Sequence, residues 1–142
     1  LPHLQRSANP HVLTISPPLN LAPRWFAPHV AYTIAKYGMS LCVLGMAEEF
    51  RAAGVAVNAL WPRTGIDTAA IAYIGGAQMR PRCRTPQIVA DAAHAILTRA
   101  ARACTGNFFI DDEVLREEGV TDFAVYRHEG VSEDDLMRDF FV

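Results

Sequence analysis

The sequence predicts an α/β fold built on a parallel sheet, in the order strand, helix, strand, lid, helix, strand. Three observations predict it. Short apolar runs rich in β-branched or aromatic residues recur at 11–15, 55–60 and 107–110. Segments with helical spacing of apolar residues separate them. Strands that alternate with helices of about ten or more residues fold as crossover units, whose strands pair in parallel.

The elements follow in order. His11-Val12-Leu13-Thr14-Ile15 comes after Asn9-Pro10 and reads as a buried strand. Ser16-Pro17-Pro18 ends it, because proline cannot donate to a central ladder. Residues 17–28 hold four prolines together with Trp25 and Phe26. That is a loop, and a long one of the kind that often carries function. From about Pro28 to Ala53 the pattern is helical: Ala31, Ile34, Leu41, Leu44 and Phe50 recur near helical spacing. Gly38, Ser40, Cys42, Gly45 and Ala47 are small, so neighbours can come close. Cys42, in this apolar run, is expected to be a buried small hydrophobe. Gly54 supplies a stop.

Val55-Ala56-Val57-Asn58-Ala59-Leu60 is the second strand, ended by Trp61-Pro62. Residues 63–85 are irregular, with a short helix over 67–74. Thr85-Pro86 marks the next helix, with Thr as N-cap and Pro at the first helical position. Ile88, Val89, Ala92, Ile96 and Leu97 form its inner face. Gly106 opens a third strand, Asn107 to Ile110. From Asp111 the chain is acidic, with a short helix over 112–118 and little to form a core.

Three strands make a narrow sheet with one edge that needs more polypeptide or another chain beside it. Leu1-Pro2-His3-Leu4 has no leader character and reads as the end of a helix, so a fragment or processed chain is expected.

Composition excludes several classes. Hydrophobic residues make up 51% and charged residues 20% of the 142, enough for one core. No apolar run comes near the roughly twenty residues of a membrane span, so none is expected. The three cysteines show no metal or redox spacing, which favours a reducing, cytoplasmic compartment. His3, His11, His94 and His128 lack partners at ligand spacing, so no metal site is expected.

The net charge of −2 conceals an asymmetry. Residues 1–110 carry ten Lys/Arg against four Asp/Glu, and residues 111–142 carry three Arg against eleven Asp/Glu. The acidic stretch reads as a solvated extension; the alternative is a tail folded back on a basic surface. The basic residues are scattered, which argues against nucleic acid as a partner.

Chemistry centres on Tyr32-Thr33-Ile34-Ala35-Lys36. Four residues of helix place phenol and ammonium about 6 Å apart along one face. A phenol titrates near ~10, and a neighbouring ammonium draws that value down. Such a tyrosine can hand a proton to a carbonyl oxygen or take one back. An ordinary amphipathic helix with a snorkelling lysine gives the same spacing.

Four landmarks in order resemble the short-chain dehydrogenase/reductase family. They are Leu13-Thr14-Ile15-Ser16, Tyr32-x-x-x-Lys36, Val57-Asn58-Ala59-Leu60-Trp61-Pro62, and Thr105-Gly106-Asn107-Phe108-Phe109-Ile110-Asp111. Ser16-Pro17-Pro18-Leu19-Asn20, Tyr37-Gly38-Met39-Ser40 and Gly45-Met46-Ala47-Glu48-Glu49-Phe50 resemble its hydroxysteroid dehydrogenase-like branch.

The resemblance implies the C-terminal half of a Rossmann-type doubly wound sheet over 1–111, with 112–142 as an acidic extension and the nucleotide-binding half upstream. It implies Tyr32 as proton donor and acceptor, Lys36 lowering its pKa and binding the nicotinamide ribose, and Ser16 as the catalytic serine. Pro62, Thr64, Ile66 and Thr68 would line the nicotinamide of NAD or NADP. Residues 63–84 would form a substrate lid and the Trp25-Phe26 loop a pocket wall. The substrate would be a small carbonyl compound or alcohol, lipid-like by branch. The helix of Tyr32 would pack on its copy in a homodimer or homotetramer.

The match departs from the family at several places. The glycine-rich TGxxxGxG loop is absent, and Gly75-Gly76 does not replace it. Pro17 stands where the family's second serine stands, which leaves Ser16 one residue early and Asn20 as a weaker donor. Arg63 replaces a glycine and is expected either to reach cofactor or substrate or to face solvent. Arg80, Arg82 and Arg84 are expected to bind an acidic substrate tail such as a coenzyme A ester, or to be solvated. His29 is expected to tune Tyr32 or to cap the helix. The competing reading is a truncated or non-catalytic member that serves as a dimerisation or interaction module.

Overall fold

β2 (Ala56–Trp61) is the central strand, and all six of its residues are buried. The computed structural model describes all 142 residues. β1 (His11–Ile15) and β3 (Phe108–Ile110) flank β2, and both pair with it in parallel. Val12 stands opposite Val57, Ile15 opposite Leu60, and Trp61 opposite Ile110. The α/β class and the parallel sheet are as the sequence predicts. Trp61 belongs to the strand rather than ending it.

Side chains alternate along β2, and each side meets different partners. Val57 and Ala59 meet Val43 and Ala47 of α1 (Val30–Glu49), and Trp61 meets Tyr37 of the same helix. Leu60 packs with Ile88, Ala92 and Ile96 of α3 (Gln87–Thr98) and with Val114 and Leu115 of α4 (Asp111–Glu117). Between them the lid carries the short helix α2 (Ala69–Gly75), close to its expected place. α3 begins one residue later than predicted. The Thr85 hydroxyl makes no cap; the Thr85 N–H donates to Tyr126 O at 2.8 Å instead.

α1 turns a different face inward than its large apolar residues suggest. Thr33, Tyr37, Ser40, Val43 and Ala47 are buried. Ile34, Leu41 and Leu44 are exposed, and so is Cys42, which was expected inside. Small residues and hydroxyls let the helix lie close to the sheet and bond the loop before it. By length and apolar composition α1 would pass for a membrane span, contrary to the expectation that no run reaches that length. Alanine, glycine and cysteine make it apolar without bulk, and its inner face covers the sheet.

The acidic stretch is no solvated tail, and the expectation that it has little to form a core is corrected. Val114, Leu115, Phe123, Tyr126 and Phe141 are buried. Its acids pair with the basic body: Asp112 with Arg63 at 2.7 Å, Glu117 and Glu118 with Arg99 at 2.9 Å, and Glu133 with Arg84.

Asn58 is fully buried in β2. Its Nδ2 donates to Cys104 O at 2.7 Å, and its Oδ1 accepts from Asn107 N–H at 3.0 Å and Asn107 Nδ2 at 2.9 Å. One side chain thereby holds the turn that feeds β3. Asn58→Ala leaves these groups unpaired and is expected to cost about 2–4 kcal/mol in urea unfolding. A loss under about 1 kcal/mol would mean that backbone pairing alone holds the turn.

Candidate active site

Three hydroxyls of α1 organise the proline-rich loop. Thr33 Oγ1 donates to Trp25 O; the Tyr37 hydroxyl donates to Asn20 O at 2.5 Å; Ser40 Oγ donates to Pro17 O at 2.7 Å. Spacings of four and three residues keep these hydroxyls on one helix face. Tyr37 also accepts from Asn20 N–H at 3.2 Å, and Asn20 Oδ1 accepts from Ala22 N–H at 3.1 Å. The Asn20 side chain therefore serves its own turn.

Tyr32 and Lys36 occupy the neighbouring strip of α1. Lys36 Nζ lies 5.9 Å from the Tyr32 ring centroid and 5.1 Å from that of Trp61. This places both residues at the carboxyl end of β2. The Tyr32 pKa is raised, first by burial and then by the negative charge of Asp139. The expected lowering by Lys36 is not met, since the ammonium lies over ring faces and shares its field with Asp139.

Asp139 reaches the site on a C-terminal segment that the sequence reading missed. Gly65 N–H donates to Met137 O, Met137 N–H to Arg82 O, and Asp139 N–H to Arg63 O, at 2.8, 2.8 and 3.0 Å. Thr64 and Arg138 form an antiparallel bridge. Trp61 Nε1–H donates to Phe140 O at 2.8 Å. Phe141 stacks on Tyr32 with centroids 6.2 Å apart and the rings 10° from parallel, and it also meets Tyr37 at 5.0 Å and Trp25 at 5.7 Å. Phe140 meets Tyr32 edge-on at 5.9 Å and His29 at 4.8 Å. The one sequence signal was an aromatic pair, Phe140-Phe141, closing an otherwise polar stretch.

Of the other expected site residues, Ser16, Pro62 and Thr64 follow the ends of β1 and β2, and the rest lie elsewhere. Ser16 is buried, with its hydroxyl unpartnered and its N–H donating to Thr14 O at 3.0 Å. Pro62 and Thr64 are buried beyond β2, and Thr64 Oγ1 is also unpartnered. Ile66 packs on the Leu60–Ile88 core, and Thr68 is exposed before α2. His29 is the N-cap residue of α1 and makes no side-chain cap bond.

Arg63 takes neither expected course. Its Nε bonds both Asp112 oxygens at 2.7 Å, and its Nη2 pairs with Glu113. Asp111 Oδ1 accepts from Arg63 N–H at 3.0 Å, and burial pushes that carboxyl up. The lid arginines are likewise engaged within the chain. Arg80 grips Asp67 at 2.6 and 3.1 Å, Arg82 reaches Asp135 O at 3.3 Å, and the buried Arg84 pairs with Glu133. Arg80 and Arg82 are exposed, as the solvated alternative expects, whereas Arg84 is buried.

Known proteins resemble this arrangement. Hydroxysteroid dehydrogenase-like protein 2 of Danio rerio is 55% identical over all 142 residues, which span 33% of that protein. The Homo sapiens protein of the same name is 55% identical over 126 residues, 89% of this chain and 30% of its own. A crystal structure of a provisionally named dehydrogenase from Xanthomonas campestris matches with TM-score 0.90 and 51% identity, over 99% of this chain and 51% of that one. A short-chain dehydrogenase from Mycobacterium thermoresistibile matches with TM-score 0.86 and 46% identity, over 99% and 49%. A 4-hydroxyisoleucine dehydrogenase mutant, at 17% identity and TM-score 0.55, shares the fold over 72% of this chain. No protein-family model matches. The chain thus spans about a third of the curated relatives and about half of the first two solved chains.

Burial pushes the Asp139 carboxyl up to about 6; the Phe140 N–H opposes the rise, Asp111 adds to it, and Lys36 opposes it. A carboxyl raised in the folded state binds its proton more tightly there than in the unfolded chain. Its contribution to stability is complete below about pH 4 and is lost as pH rises through about 6. Asp139→Asn removes that dependence. The variant is expected to match the parent near pH 4 and to exceed it by on the order of 2 kcal/mol near pH 8, by urea unfolding. A variant less stable near pH 8 would show that attraction to Lys36 outweighs burial.

Proposed function

We propose that this chain is the proton-transfer and substrate half of a nicotinamide-dependent short-chain dehydrogenase, interconverting a carbonyl and a secondary alcohol. The observation that carries the reading is Lys36 set over both Tyr32 and Trp61 at the carboxyl end of the central parallel strand. Open α/β sheets bind their ligands at that end. The similarity to named dehydrogenases over the whole chain supports it.

The residues present fit one end of the cofactor. Ser16 Oγ and Thr64 Oγ1 are buried hydroxyls without partners, on the segments that follow β1 and β2. With Lys36 they offer donors to a nicotinamide ribose and carboxamide. The pyrophosphate finds no such fit. α4 follows directly on β3, and its first turn carries Asp111, Asp112 and Glu113, which repel a phosphate from the helix N-terminus. In this reading the phosphates are held by polypeptide outside these 142 residues.

Bound nicotinamide supplies or accepts the hydride at the carbonyl carbon. Tyr32 gives its phenolic proton to the carbonyl oxygen in reduction and recovers it in the reverse direction. Lys36 stabilises the phenolate left behind. Trp25, Phe26 and Phe141 pack with Tyr37 and Trp61 in one apolar cluster beside the site, which suits a lipid-like substrate. The exposed Val30, Ile34, Leu41 and Leu44 of α1 suit a second copy of the chain in a homodimer or homotetramer. Three unpaired cysteines suit the cytoplasm.

The raised pKa of Tyr32 favours a second reading, a non-catalytic interaction module. Tyr32→Phe in the longer protein that carries this chain separates the two. Turnover is expected to fall by about 100-fold or more, while NADH or NADPH fluorescence on binding stays unchanged. Undiminished turnover would remove Tyr32 from its role. No cofactor fluorescence change in the longer protein would favour the interaction module.

A further inference from the structure

The C-terminal segment supplies a charged group that the Tyr32–Lys36 pair does not account for. Asp139 is partly buried and fixed from both sides. Its N–H is held by Arg63 O, and one carboxylate oxygen accepts from Phe140 N–H at 2.6 Å. The next residue is tied by Trp61 Nε1–H at 2.8 Å to the indole that Lys36 covers at 5.1 Å. Phe140 and Phe141 then close over the Tyr32 ring. A carboxylate in this setting has little water to answer it, so its charge acts on its neighbours. Those neighbours are Tyr32 and Lys36 from α1, Asp111 from the start of α4, and Cys83 from the lid. The charge of Arg84 acts in turn on Asp111, and His29 packs on Phe140 from the entry to α1.

We propose that Asp139 is a positioning residue of the Tyr32–Lys36 site, whose carboxylate counters Lys36 and keeps the Tyr32 phenol protonated. Its loss, or its protonation, frees the ammonium to act on the phenol. The meaning of this for turnover rests on the dehydrogenase reading above; the electrostatic coupling does not. Burial and the Asp139 charge both raise Tyr32, while no partner charge brings it down. The same carboxyl is itself drawn down by Lys36 and pushed up by Asp111. Tyr32, Lys36 and Asp139 form one charge-coupled unit joined through Asp139, and the C-terminal segment sets its balance.

The test is an ultraviolet difference titration of the phenolate band in the 142-residue chain, with Tyr32 assigned by subtracting Tyr32→Phe. In Asp139→Asn the Tyr32 midpoint is expected to fall by about half a pH unit or more. Asp139→Glu, which restores the charge, is expected to bring it back toward the parent value. A midpoint that stays or rises in Asp139→Asn overturns the proposal. Far-UV circular dichroism at each end of the titration shows that the chain is still folded. The titration involves no turnover, so a missing shift sinks the role of Asp139 whatever Tyr32→Phe does to activity. A fully active Tyr32→Phe enzyme sinks the dehydrogenase reading and leaves the shift in place.

Discussion

The clasp between α1 and the loop before it is the contact on which the rest depends. Thr33, Tyr37 and Ser40 are buried, and each donates its hydroxyl to a loop carbonyl: Trp25, Asn20 and Pro17. A proline-rich loop has few N–H groups, so its carbonyls need donors from elsewhere. Buried hydroxyls need acceptors just as much. Each side satisfies the other, and a helix with a polar inner face can therefore lie against an apolar sheet. With that face committed, Tyr32 and Lys36 fall on the flank, over the end of β2, and the bulky Ile34, Leu41 and Leu44 turn outward.

Charge does for the C-terminal part what hydroxyls do for the loop. The body is basic and the last thirty-two residues are acidic. Most of the ion pairs that join them are partly exposed, and such pairs contribute little individually. Their effect is on register. Arg63 held by Asp112 and Glu113, and Arg84 held by Glu133, bring the chain end back along the lid. Phe123, Tyr126 and Phe141 then bury enough apolar surface to keep it there. The same route carries Asp139 and the two phenylalanines to Tyr32.

The strands and main helices were legible because their signals are local. β-branched runs, a proline stop and glycine breaks act within a few residues, and β1, β2, α1 and α3 lie close to where those signals put them. The Tyr32–Lys36 spacing was legible for the same reason. What escaped was non-local. The inward face of α1 follows from the carbonyls it must satisfy, not from its largest side chains. The arginines at 63, 80, 82 and 84 looked free for a ligand because their partners stand about fifty residues away, or thirteen for Arg80. Asp139 gave no signal at all, since its position depends on three backbone bonds to the lid base.

These two long-range arrangements have opposite effects on the tyrosine. The clasp sets Tyr32 on the flank of α1, beside Lys36 and the end of β2. The returning C-terminal segment buries its ring and places a negative charge beside it, and both raise its pKa. A tyrosine so held keeps its proton more firmly than a free phenol. Lys36 is the cation beside it, and its charge also acts on Asp139. The ammonium lies between an indole, a phenol ring and a carboxylate, all of which attract it weakly. A group that can be drawn several ways responds to whatever arrives. The C-terminal segment thus acts on Tyr32 by charge, through Asp139, and by burial, through Phe140 and Phe141.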